Sequence, residues 1–331
     1  MIVDAVRTPE ERAQLKRSPS LASFDSRQLA EHGPDLHLCA ISPSGEVEAH
    51  ASLWWKETPG YQDQRVGVIG HYASASSEAA SAVLTAATEE LRKQNCTIAI
   101  GPMDGNTWRR YRFVVDAGTE PAFFLEPTNP PEWPIEWERA GFVPLAQYFS
   151  ALNADLSQAD DRMAHVAERL NDQGVRIRPA VASALPNELR RIYALSQVAF
   201  AKNFLYTELP ESAYLAQYTR LLPQIRPELV LLAELGTDLV GFLFAIPDLA
   251  QAARGQAIDT FIIKTMAILP DPSLTGLGGL MAAQVQQKGH SLGFRLCIHA
   301  LMHEDNRSRS ISRHYAQPIR RYAIFSRSIS A

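Results

Sequence analysis

An order of elements that occurs twice sets the fold of this 331-residue chain. Residues 35–55 (DLHLCAISPSGEVEAHASLWW) and 228–247 (ELVLLAELGTDLVGFLFAIP) are each a pair of apolar runs, joined by turn residues at 42–45 and 236–238. Such pairs read as antiparallel hairpins. Each is followed by a third apolar run, at 65–74 and 257–269, and then by a helix-like segment, at 76–94 and 276–289. A further strand-like run closes each series, at 96–101 and 294–301. The order β-β-β-α-β therefore recurs at an offset of about 190–200 residues, without letter-by-letter repetition. A repeat on this scale points to two similar units, which is also the domain count expected from the length.

The boundary is expected near residues 152–174, with a turn at 153–155, a connecting helix at 157–171, and residues 176–179 as the first strand of the second unit. Residues 186–201 carry helical apolar spacing at Leu189, Ile192, Leu195, Val198 and Ala199. The expected fold is α/β (α+β), with two tandem units, 1–155 and 156–331. Each unit is a mixed, mostly antiparallel sheet flanked by helices. All five tryptophans (Trp54, Trp55, Trp108, Trp133 and Trp137) lie in the first unit, and residues 121–134 hold five prolines. Proline fixes φ and removes a donor, so this stretch reads as an ordered, non-helical loop at a sheet end.

Composition narrows the function classes. With 46% hydrophobic and 21% charged residues, the chain is neither a disordered tail nor a fibre or coiled-coil rod. Lys and Arg number 32 against 36 Asp and Glu, a net charge of −4, which argues against a nucleic-acid partner. No apolar run approaches the roughly 18 residues of a membrane helix, so no membrane partner is expected. The N-terminal stretch holds acids and lacks an apolar core long enough for a signal peptide. Cys39, Cys96 and Cys297 are odd in number, lie in apolar runs and match no zinc spacing. They read as buried small hydrophobes of a protein in a reducing compartment, the cytoplasm.

Chemistry concentrates in residues 260–288 (TFIIKTMAILPDPSLTGLGGLMAAQVQQK). An apolar strand runs into a Pro-Asp turn, and a short loop brings Gly276, Leu277, Gly278 and Gly279 to the start of a helix. Free N–H groups at a helix N-terminus and the helix dipole together favour an anion, and glycines let its backbone come close. No Gly-Lys-Ser/Thr follows, so this is no Walker loop. The preceding unit is hairpin-like, which does not suit a dinucleotide fingerprint.

Strand, Pro-Asp turn and a Gly-x-Gly loop opening a helix together resemble motif A of the GNAT acetyltransferase superfamily. That motif usually reads Arg/Gln-x-x-Gly-x-Gly/Ala. The matching run here is Ser273-Leu274-Thr275-Gly276-Leu277-Gly278, with serine in the leading position. The resemblance covers most of residues 176–331 in element order, and its motif spans only about 20 residues. It implies acetyl-CoA as co-substrate, with no metal. The pyrophosphate would lie on the amides of the loop formed by Ser273, Thr275, Gly276, Leu277, Gly278 and Gly279. Met266, Ala267 and Ile268 would meet the thioester and pantetheine through their backbone. The family's Asn after the fifth strand and its Tyr on the following helix match Asn306 and Tyr315, nine positions apart where about seven is usual. Asn306 would contact pantetheine, and Tyr315 would protonate the leaving thiolate or simply pack.

An amine acceptor also needs a base. Glu304, just past a strand end, and Asp259, early on the strand that leads to the loop, are the candidates. His299 and His303 are four apart on a segment read as a strand and lack an evident third ligand, so no metal is expected. Arg307, Arg309, Arg313, Arg320 and Arg321 read as a solvated helix face, with the CoA 3′-phosphate as the other reading. In the first unit the glycine loop is replaced by residues 73–78 (ASASSE), whose Glu78 would repel a pyrophosphate. That unit is read as degenerate and GNAT-like. Its WERAGF run at 137–142 resembles the Gly-Phe near the end of many such units. Its aromatic loops either help form the acceptor pocket or bury the contact between units.

The expected activity is therefore N-acyl transfer from acetyl-CoA to a small-molecule or peptide amine, by direct attack and in a chain that can act as a monomer. Two alternatives are an aminoacyl-transferase of tandem GNAT-like fold and a non-catalytic acyl-CoA-binding protein.

Overall fold

The structure is a computed structural model that describes residues 1–158, 160–219, 221–305 and 316–330. The first unit supplies β1 (Ile2–Val6), β2 (Leu36–Ile41), β3 (Val47–Trp54), β4 (Val66–Ser74), β5 (Ile98–Gly101), β6 (Phe113–Asp116) and β7 (Val143–Asn153). The second supplies β8 (Val175–Pro179), β9 (Val230–Leu235), β10 (Asp238–Pro247), β11 (Thr260–Ile268), β12 (Leu296–His303) and β13 (Gln317–Ser328). Helices are α1 (Pro9–Gln14), α2 (Arg27–His32), α3 (Ser77–Lys93), α4 (Glu132–Arg139), α5 (Arg162–Asp172), α6 (Leu185–Phe200), α7 (Glu211–Thr219), α8 (Leu249–Ala253) and α9 (Leu277–Ser291).

The repeat read from the sequence is present in the pairing. β2, β3 and β4 are antiparallel neighbours, α3 follows, and β5 returns parallel to β4. β9, β10 and β11 do the same, α9 follows, and β12 returns parallel to β11. β4 is buried along its whole length, as an apolar run covered on both faces must be. α3 turns Ala79, Ala80, Val83, Leu84, Ala87 and Leu91 onto one face of its sheet, the i, i+3, i+4 spacing of an amphipathic helix. α9 places Leu277, Leu280, Met281 and Val285 against Phe261 and Cys297. α6 and α7 cover the opposite face, over Phe242, Phe244 and Ile262. Both units also bulge at the same place. His71 and Tyr72 of β4 face the single Ala51, and Lys264 is the extra residue of β11 between Ile263 and Thr265.

The thirteen strands form one sheet, in which β1 to β5 are followed by β13, β7, β12, β11, β10, β9 and β8, with β6 pairing off the path with β13. The last strands are thus exchanged. β13 of the second unit lies between β5 and β7, from Gln317↔Leu152 to Ser326↔Val143 along β7. β7 of the first unit in turn pairs with β12. Residue 155 follows directly on β7, and strand pairing crosses that point in both directions.

Several expectations need correcting. The Pro-rich stretch is a loop only to Pro131, because α4 begins at Glu132. Pro134 falls in its first turn, where a missing N–H costs no intrahelical bond. The connecting helix starts at Arg162 and not at 157, since Asn153 and Asp155 accept from the Asp155 and Ser157 amides at 3.0 Å each and hold the chain in turns. Arg320 and Arg321 are on strand β13 and not on a helix face. The three cysteines are free and buried. Among the described residues, no helix is long and apolar enough to cross a membrane.

Candidate functional site

The site begins where two parallel strands part. β11 and β12 pair from Thr260↔Leu296 to Ile263↔His299 and no further. The Lys264 bulge turns β11 toward β10, which it follows to Ile268↔Gly241. β12 bulges at Ala300 and Leu301 and stays with β7, through Met302↔Phe149 and His303↔Tyr148. Leu301 takes a left-handed φ of 59°, and its N–H donates to Ser150 Oγ at 3.0 Å. A wedge opens between the strands, with Met266, Ala267 and Ile268 along one edge.

The corresponding place in the first unit is shut. The Met103 N–H donates to the Ile69 carbonyl at 2.9 Å, and Asp104 Oδ1 accepts the His71 N–H at 2.6 Å. β4 and the chain after β5 run so close that a Cβ on Gly70 would collide with the Met103 carbonyl.

The glycine loop lies at the end of β11. Asp271 accepts from the Ser273 N–H and hydroxyl at 2.8 Å each, and Thr275 Oγ1 donates to the Pro272 carbonyl at 2.7 Å. Arg169 of α5 donates to the Ser273 carbonyl at 2.9 Å and to the Thr275 carbonyl. These bonds occupy side chains and carbonyls, and leave the first amides of α9, at Leu277, Gly278 and Gly279, without an intrahelical acceptor. Gly276 caps the helix at φ 88°, and a Cβ there would lie 2.9 Å from Val166 Cγ1 of α5. α3 of the first unit is closed at the same point, because Ser76 Oγ takes the Ala79 N–H at 3.3 Å.

On the face away from α9, the first unit reaches over the wedge. The Phe124 N–H donates to Asp248 Oδ1 at 2.7 Å, Arg254 donates to the Ala122 carbonyl at 2.7 Å, and Lys264 Nζ donates to the Leu125 carbonyl at 3.1 Å. Phe123 is buried among Ile262, Ile298 and Ala300. Trp108 donates to the Thr207 carbonyl at 2.8 Å and meets Phe200, Tyr206 and Tyr214 edge-on. Trp108 and Phe123 thus bury the contact between units, and residues 123–126 also border the wedge. Glu126 has no exposed side-chain surface. It accepts from the Phe123 N–H at 3.1 Å and from the Tyr322 hydroxyl, and lies 3.2 Å from Arg320 Nε. Burial pushes Glu126 and Tyr322 up. Desolvation, followed by the Arg112 charge, brings Lys264 down to about 8.

Of the residues singled out in the sequence, Met266, Ala267 and Ile268 lie on the wedge, and Ser273, Thr275, Gly276, Leu277, Gly278 and Gly279 form the loop beside it. Glu304 follows β12 directly and receives Arg321 Nη1 at 2.7 Å. Asp259 is not brought to them. It precedes β11 at the far end, roughly 30 Å of extended strand from the loop, and accepts from Gln251 Nε2 at 2.7 Å and Thr260 Oγ1 at 3.0 Å. Asn306 and Tyr315 lie outside the described residues, as do Arg307, Arg309 and Arg313. Sequence reasoning missed Arg112, Glu126, Arg169 and Lys264. Lys264 left a signal, as the one charged residue in its mostly apolar strand.

No family model matches the chain, and no curated protein matches it in sequence. Solved structures do resemble it. A GCN5-related glucosamine N-acetyltransferase region of a fungal multi-domain GH3 β-N-acetylglucosaminidase aligns with 98% of this chain, at a TM-score of 0.56 and 13% identity, and this chain spans 38% of that protein. A GCN5-related N-acetyltransferase of Anabaena variabilis aligns with 99% of this chain and 73% of its own length, at 0.55 and 11% identity. One from Sphaerobacter thermophilus aligns with 100% and 96%, at 0.51 and 13% identity. At these identities the likeness is one of fold. The chain has the fold of the GCN5-related N-acetyltransferases, the GNAT fold, and its own strand pairing builds the β-β-β-α-β core of that fold twice within one sheet.

Proposed function

We propose that this protein is an N-acyltransferase that moves an acetyl group from acetyl-CoA to an amine by direct transfer. We divide it into a degenerate unit, 1–155, and an acetyl-CoA-binding unit, 156–331, which exchange their last strands. The observation that carries the reading is the wedge between β11 and β12 beside the uncapped start of α9. Amides of Leu277, Gly278 and Gly279 would hold the pyrophosphate, since helix N-termini bind anions. The free backbone edge at Met266, Ala267 and Ile268 would take the pantetheine arm. The closed gap and self-capped α3 of the first unit support binding in the second unit alone.

The amine nitrogen attacks the thioester carbon, the C–N bond forms and the C–S bond breaks. A base takes the ammonium proton, and the departing thiolate takes up a proton in turn. Glu304 stays the base candidate by position; Asn306 and Tyr315 keep the pantetheine and thiolate roles that the resemblance gives them. Burial pushes the Cys297 thiol up, which supports transfer without an acyl-enzyme. We place the protein in the cytoplasm, where acetyl-CoA is made and used.

Calorimetric titration with acetyl-CoA, followed by thiol release against an amine panel, tests the proposal. Absence of acetyl-CoA binding at millimolar concentration would reject it. Binding without thiol release across a broad panel would favour a non-catalytic acyl-CoA-binding protein.

A further inference from the structure

Above the wedge, on the face away from α9, positive charge exceeds what surrounds it. Lys264 stands at the point where the strands part, half-buried, and its ammonium donates to a main-chain carbonyl, that of Leu125 at 3.1 Å. Arg112 comes to the same place from the first unit. It is buried, and its Nη1 donates to the Leu301 carbonyl at 3.2 Å on the other strand of the wedge. Its guanidinium lies 3.8 Å from the Tyr111 ring and 4.0 Å from that of Tyr148, and the two rings fix its orientation. The charges of Arg112 and Lys264 act on each other.

The carboxylate that acts on Lys264 is Glu126, and its oxygens are already occupied by the Phe123 amide, the Tyr322 hydroxyl and Arg320. His303 of β12 adds another donor. Its Nδ1 accepts the Asp305 N–H at 3.1 Å, so the neutral ring carries its proton on Nε2. That buried Nε2 has no hydrogen-bond partner among the described residues; the charges of Asp305, Arg112 and Glu304 all act on this ring.

Cations taken out of water are costly unless an opposite charge meets them. Here Arg112 links a second cation, Lys264, to an unanswered N–H on His303, and the carboxylate that acts on Lys264 is committed elsewhere. We infer that this place binds a carboxylate of the acceptor, and that the acceptor is an amino acid or related amino carboxylate. The inference rests on the acyl-transfer reading for the word acceptor, while the anion site stands on its own geometry. A planar guanidinium held between two rings suits the paired oxygens of a carboxylate. The CoA phosphates belong to the other face, at the start of α9.

The test uses the full chain and panels matched in all but the carboxylate: the twenty amino acids, their amides and the corresponding decarboxylated amines. Binding is read by calorimetry with and without CoA, and turnover by thiol release from acetyl-CoA. Members of the amino-acid panel should bind, and their amides should bind about ten- to hundredfold more weakly. Lys264→Met and Arg112→Gln should each weaken amino-acid binding by a similar factor while leaving acetyl-CoA affinity unchanged, and Arg112→Lys should recover part of it. Lys264→Met carries the test if Arg112→Gln fails to fold. Amides that bind as tightly as the acids, no binding from any panel, or full affinity in folded Lys264→Met overturns the inference. Acetyl-CoA binding is read separately. Its loss with the amino acids still bound overturns the acyl-transfer reading alone, and the reverse result overturns the carboxylate site alone.

Discussion

Gly276→Ala tests whether this glycine serves the backbone and packing as well as a ligand. Two costs are built into the position. Its φ of 88° lies in the left-handed region, where an L residue pays about 1–2 kcal/mol. The new Cβ would also stand 2.9 Å from Val166 Cγ1 and 3.2 Å from Cγ2, an overpacking worth about 1–3 kcal/mol. The loss should therefore total about 2–5 kcal/mol in urea denaturation. Val166→Ala on its own should cost about 1–2 kcal/mol, because Val166 is only partly buried in that core. In the Gly276→Ala background the same truncation removes the clash and should cost less or even stabilise. A coupling of about 1–2 kcal/mol is expected across the cycle. A coupling within about 0.3 kcal/mol of zero would refute the packing argument. Acetyl-CoA affinity measured on the double variant then reports the ligand role apart from the clash.

Acid should weaken the first unit. Burial holds His50 and His71 down at about 3, while in the unfolded chain they titrate near ~6.5. Below that pH the unfolded state takes up the protons, so stability is full above pH ~6.5 and falls as pH drops, by about 2 kcal/mol for each ring at pH ~5; a urea midpoint equal at pH 7.5 and pH 5 would contradict this. Cutting the chain between residues 155 and 156 should leave both pieces poorly folded when made apart, since β13 loses β5, β6 and β7 while β7 loses both β12 and β13, and co-expression should restore a stable pair. A monomeric, cooperatively folding 156–331 fragment would contradict that. Tyr315→Phe should lower kcat by about 10²–10⁴-fold with acetyl-CoA KM little changed, and an unchanged kcat would exclude Tyr315 as the acid.

The twofold β-β-β-α-β order was legible because each element is local. Hairpins at 35–55 and 228–247 carry their turn residues within a few positions, and α3 and α9 carry their own periodicity. β7 and β13 were missed as exchanged partners because nothing in either run states which unit its edge will join. That choice is made by pairing across more than a hundred residues. The glycine loop could be read for the same reason as the hairpins, its strand, turn and helix being contiguous. Arg112, Glu126 and Lys264 belong to three separate segments, and only the crossing of residues 121–126 over the wedge brings them together. Asp259 misled because it is near the loop in strand order and far from it in space. Arg169 was read as part of a connecting helix, and its bond to the Ser273 carbonyl depends on how α5 settles on α9.

The exchanged strands bear on how the protein is made. On the ribosome, β5 emerges early, yet its neighbour β13 ends about 230 residues later, at Ser328. At ordinary elongation rates that interval lasts about 10–45 s. Throughout it, the apolar strand Ile98–Gly101 presents an unfilled edge, which invites pairing with other nascent chains. The first unit therefore cannot complete its sheet until β13 has been made. Deleting Gln317–Ser328 would injure the N-terminal unit as directly as the one that strand belongs to.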